Sequence, residues 1–139
     1  MAFARRTGKP NHREFPAAAT LVRGGLVQYD EAGEIIVAVT AKGVLGIAEN
    51  AATASTTVLV DILKPGDEVE TSPVTGTMAA SEIGNEADIA SETAITLTES
   101  NGDCIITGWN GDTTVNAGTA YITFKNLAHG SPGAGLETT

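Results

Sequence analysis

Thr57-Val58-Leu59-Val60-Asp61-Ile62-Leu63, followed by Lys64-Pro65-Gly66-Asp67, is the stretch from which the fold class can be read. Successive side chains of an extended chain point to opposite faces, so Val58, Val60 and Ile62 share one side and Leu59 and Asp61 the other. β-Branched residues at alternate positions favour a strand over a helix, where each would lose rotamer freedom. Pro65 has no N–H to give to a ladder, so the strand ends before it and Gly66 supplies a turn. Residues 67–71 read as another short strand.

Working outward, the same grammar repeats. Leu26, Val27, Gln28 and Tyr29 run into Asp30-Glu31-Ala32-Gly33, and Ile35, Ile36 and Val37 open the run 34–39 beyond it. That is a hairpin with Gly33 free to take a positive φ. Gly46 interrupts the apolar run 44–49, which in a strand marks a bulge or a close backbone approach. Downstream, 74–79 reads as a weak strand and 81–90 as a loop holding a short helical or strand piece. Residues 94–98 form an alternating strand in which Ile95 and Leu97 share a face. Asn101-Gly102-Asp103 and Asn110-Gly111-Asp112 bracket an apolar strand, 104–109, and residues 119–125 supply a closing strand. Short strands at this spacing predict an all-β, single-domain barrel or sandwich.

Residues 1–20 differ. Gly8, Pro10, Asn11 and Pro16, followed by Ala17-Ala18-Ala19, sustain no period of 2 or 3.6, which predicts an extended N-terminal arm. The expected division is an arm over 1–20, a β-domain over 21–128 and a Gly/Ser/Pro/Thr-rich flexible tail over 129–139.

Charge follows that division. The net charge of the 139 residues is −9, yet Arg5, Arg6, Lys9, Arg13 and Arg23 lie in the first 23 positions against one acid, Glu14. The remainder carries three basic residues and sixteen acids. Such a body repels nucleic-acid phosphates, so direct contact with DNA or RNA is not expected outside the arm. A cationic arm on an anionic body suggests a tether to another protein surface, a second copy included. No run of eighteen apolar residues occurs and no apolar stretch follows the basic start, so neither a membrane span nor a secretory signal is expected.

Catalytic constellations are not apparent. Cys104 is a single cysteine opening an apolar strand, with His12 in the arm and His129 in the tail as the only imidazoles, so it reads as a small core residue. No G-x-S-x-G elbow occurs, and the body offers few aromatics to hold a sugar between paired carboxylates. Asp67, Glu68, Glu70, Asp103 and Asp112 are hard oxygen donors, but no loop has the spacing of an EF-hand, and no phosphate loop is present. No cofactor, metal or catalytic residue is therefore expected, and the chain reads as a non-enzyme. The run Lys64-Pro65-Gly66-Asp67-Glu68-Val69 is similar to the turn of lipoyl and biotinyl carrier domains. Lys42, between Ala41 and Gly43, does not sit in the carrier's attachment context, and neither Lys64 nor Lys125 does.

Over residues 17–70 the chain resembles the head-decoration (cement) proteins of tailed bacteriophages, the lambda-type β-tulip family and related capsid-stabilising proteins. The resemblance rests on the Ala-rich end of the arm, on Gly24-Gly25-Leu26, and on the hairpin after it. It continues through the Gly-(Val/Leu)-x-Gly-Ile-Ala run at 43–48, the small-residue loop ending Ser55-Thr56-Thr57, and the strand 58–62. It implies a β-tulip-like fold and a homotrimer that binds the major capsid protein on the outside of a virion assembled in the host cytoplasm. The arm would dock by strand addition through Phe3, Arg5, Arg6, Lys9, Arg13 and Phe15, while Trp109 and Tyr29 are candidates for a subunit interface. The alternatives are another virion β-protein (tail tube, head fibre or baseplate domain) and a cellular barrel-sandwich binding or carrier module.

Overall fold

The structure, a computed structural model, describes residues 2–38 and 43–129; Lys42 and the tail beyond His129 lie outside the described residues. The described residues form eleven strands: β1 (Phe3–Arg5), β2 (His12–Pro16), β3 (Leu26–Tyr29), β4 (Ile35–Val37), β5 (Gly46–Ala48), β6 (Thr57–Ile62), β7 (Val69–Thr71), β8 (Glu86–Ser91), β9 (Ala94–Thr96), β10 (Cys104–Trp109) and β11 (Ala120–Phe124). A 3-10 turn, Ala80–Glu82, precedes β8. The chain is all-β, built as two antiparallel sheets, one of them curled into a half-barrel. The first sheet has the order β1-β7-β11-β10-β8-β9 and the second β2-β6-β5-β3-β4.

The alternation in 57–63 sorts the core. Val58, Val60 and Ile62 join Val27, Ile35 and Leu45 in one apolar cluster on the far face of the second sheet, which Ala17, Leu21 and Ala128 help to cover. Leu63, Leu26 and Ile47 face the other way and pack with Val69, Ile95, Ile106 and Ile122 of the first sheet. The inner strands β3, β5 and β6 of the second sheet therefore bury apolar residues on both faces, which explains why they read as nearly continuous hydrophobic runs. Gly46 marks a close approach, as expected: a Cβ there would collide with the main chain of Asp61.

Residues 74–79 lack the strand expected from the sequence. Thr75 forms an isolated bridge to Thr96, and the chain then enters the 3-10 turn. β10 and β11 form the expected hairpin, with Cys104 opposite Phe124 and a register shift between Ile106 and Gly108.

Residues 2–20 are largely extended, but they are built into the body. β1 pairs with β7 in the first sheet, and β2 pairs with β6 in the second. Phe3 is 3% exposed and lies 6.1 Å from the Phe124 ring. Burying a phenylalanine contributes roughly 1.5–3 kcal/mol, which offsets part of the cost, about 1–2 kcal/mol per residue, of ordering the strand. The pairings of this half of the chain are nested: Leu26 faces Ile47, His12 faces Asp61 and Phe3 faces Thr71.

Candidate functional site

Because β1 and β2 belong to different sheets, the segment joining them crosses the gap at one side of the sandwich. There Arg5 reaches from β1 to Asp61 on β6. Its Nη2 and Nε donate to the two Asp61 carboxylate oxygens at 2.7 and 2.8 Å, Nη2 also donates to the Ile62 carbonyl at 3.1 Å, and Nη1 pairs with Asp67 at 2.8 Å. The Asn11 N–H donates to the same Asp61 carboxylate at 3.1 Å. Burial works against the Asp61 charge, but Arg5 and the Asn11 N–H outweigh it and hold the carboxyl below its ordinary range. The hydrogen bond from Arg5 to Asp61 is in turn the largest influence raising the guanidinium pKa.

Beside this clasp lies a cleft of about 370 Å³ lined by residues of β1, β2, β5 and β6, including Arg5, His12, Arg23, Glu49 and Asp61. The β2/β6 register puts His12 opposite Asp61, and Asp61 is in turn opposite Ile47. Paired residues share a face, and Glu49 is two residues beyond Ile47, so His12, Asp61 and Glu49 all point into the cleft. One imidazole nitrogen and one oxygen from each carboxylate lie within 4.8 Å of one another. His12 is exposed, Glu49 half-buried and Asp61 3% exposed.

The residues expected to form a docking arm are dispersed. Phe3 is in the core and Arg5 in the clasp. Arg6 pairs with Glu68 and lies 3.8 Å over the Tyr121 ring. Phe15 is partly buried edge-on against Tyr29 at 5.7 Å, with the Arg13 guanidinium 5.9 Å from the Phe15 ring. Lys9, Arg13 and the rest of β2 apart from Phe15 remain exposed. Tyr29 shares a 3.0 Å hydrogen bond with His129, and half-buried Trp109 donates its indole N–H to the Asp112 carbonyl at 2.9 Å.

β2 is an edge strand. Its ladder phase follows from the Ile62 N–H donating to the Asn11 carbonyl and the Ala17 N–H to the Thr56 carbonyl. Residues 13, 15 and 17 thus bond towards β6, while 12, 14 and 16 turn their main-chain groups outward. Pro16 occupies one of the outward positions, where its missing N–H takes nothing from the sheet.

Sequence reasoning passed over two acidic sites. His12 lies in the segment the sequence presents as an extended arm, and only the β2/β6 register brings it to Asp61 and Glu49. Asp88, 7% exposed, accepts the N–H groups of Ser100, Asn101 and Gly102 at 2.7–3.2 Å. The Asn-Gly-Asp run at 101–103, read as a turn, was the available signal for that nest. Cys104 is fully buried, and burial pushes its thiol up to about 12. No known protein-family model matches the chain, and no curated protein is significantly similar to it in sequence.

Proposed function

We propose that this chain is a structural virion protein of the head-decoration type, which binds the outside of a phage capsid as a homotrimer and bridges neighbouring major capsid proteins. The observation that carries this reading is the outward edge of β2. His12 and Glu14 present unpaired main-chain N–H groups beside exposed Lys9 and Arg13, on a body that is otherwise anionic. A strand from another subunit adds to such an edge through main-chain hydrogen bonds, with the cations steering its approach. Attachment then resides in a fixed edge instead of a loose leader, so little ordering entropy opposes docking.

The test combines mass in solution with co-sedimentation on expanded, empty heads. Glu14→Pro removes an outward donor and leaves the bonds to β6 intact. A trimer that sediments with heads, and a folded Glu14→Pro variant that does not, are expected. A monomer, association with tails in place of heads, or unchanged sedimentation of the variant overturns the reading.

A further inference from the structure

We propose that His12, Glu49 and Asp61 form a binding site for a divalent transition-metal ion, best matched by Zn2+, that ties β2 to β5 and β6. One imidazole nitrogen and two carboxylate oxygens are a donor set that zinc accepts, with bonds of about 2.0–2.2 Å. The three donors already lie within 4.8 Å of one another at the wall of the cleft. Zinc at those bond lengths needs donors about 3.3 Å apart, a closure of roughly 1.5 Å. Side-chain rotation of exposed His12 and half-buried Glu49 supplies that movement. Among the described residues neither the His12 ring nor the Glu49 carboxylate holds a hydrogen bond that must be broken.

Asp61 is the preset ligand. Arg5 and the Asn11 N–H fix its orientation, the part outer-shell donors play at metal centres. Oδ1 accepts two of these bonds and Oδ2 one, so a carboxylate with about four acceptor positions keeps one free on Oδ2. The guanidinium charge of Arg5 is also answered by Asp67 at 2.8 Å. That leaves Asp61 and Glu49 against Arg23 at the cleft, a net charge of −1 that attracts a cation. This inference does not depend on the capsid reading, because its readouts involve the isolated protein alone.

The experiment is titration of the untagged full chain with ZnCl2, followed by calorimetry and by thermal unfolding. One zinc per chain is expected, and at a hundredfold excess over the dissociation constant the midpoint should rise by roughly 9 °C. His12→Ala and Glu49→Gln should each fold, unfold at the metal-free wild-type temperature and lose the rise. His129→Ala should keep it. Calcium and magnesium, which prefer all-oxygen sites, should give no rise at the same concentration. Absence of stoichiometric zinc binding, a rise retained by both cleft variants, or a rise abolished by His129→Ala overturns the proposal.

Discussion

Arg5 and Asp61 stand 56 residues apart in the chain, yet they share two parallel hydrogen bonds across the gap between the two sheets. Their side chains are 8% and 4% exposed. A pair this buried is costly to break because the survivor keeps its charge without its partner. Arg5→Ala strands Asp61 and Asp67 together, and we expect it to lower unfolding free energy by about 3–5 kcal/mol, measured by urea denaturation. Arg5→Lys should recover only part of this, since an ammonium cannot reproduce the planar two-pronged contact.

Removing residues 2–16 deletes β1 and β2 and with them Phe3, Arg5 and Phe15. Far-UV circular dichroism should show loss of the native fold, not a trimmed and otherwise intact body. A cooperative native-like melt of the shortened chain would contradict the integration of these strands.

Gly46→Ala places a methyl group against the main chain of Asp61, where no side-chain rotation relieves the clash. Overpacking of this kind costs roughly 1–3 kcal/mol or more, readable as a lower melting midpoint. Gly33, at φ 82° with open space around its Cα, is the contrast: Gly33→Asn should be nearly neutral because asparagine tolerates that conformation.

Burial alone would raise the Asp88 carboxyl, but the N–H groups of Ser100, Gly102, Asn101 and Asp103 prevail and hold it below its ordinary range. A lowered folded pKa stabilises above the unfolded value, near 3.9, and the contribution disappears as pH falls through the folded value. The stability gap between wild type and Asp88→Asn, taken from denaturation at a series of pH values, should therefore be full at neutral pH and close below about pH 4. Asp103 acts in the opposite direction: burial and the nearby Asp88 raise its pKa, so its charged form offsets part of the gain as pH rises.

With its thiol pushed up to about 12 and no exposed surface, Cys104 should ignore an aromatic disulfide reagent at pH 8 in the native protein. It should react fully once urea unfolds the chain. Rapid native labelling would mean that β10 opens locally.

The strands whose identity lies in local alternation were legible in the sequence. Val58, Val60 and Ile62 separate from Leu59 and Asp61 by period alone, and 104–109 matches β10 residue for residue. Gly46 was legible as a close approach because a glycine inside a β-branched run has few other uses. The first twenty residues were not. Phe3–Arg5 is too short to show a period, and what buries it is a strand some 65 residues onward. Arg5 looked like a docking charge because charge counts do not reveal partners; only the sheet crossing brings it to Asp61. The cleft residues were hidden for the same reason, since His12, Glu49 and Asp61 meet through register and not through spacing.

The nested pairing has a kinetic consequence. Loop-closure entropy favours the shortest separation first, so we expect Leu26 to meet Ile47 before His12 meets Asp61, and Phe3 to reach Thr71 last. The strand β1 is thus expected to be the final one of this half to find its place, and until it does β7 is paired only with β11. On that expectation, assembly of this half of the molecule runs outward from the β3/β5 pair, with the β1/β7 pair as the closing stitch.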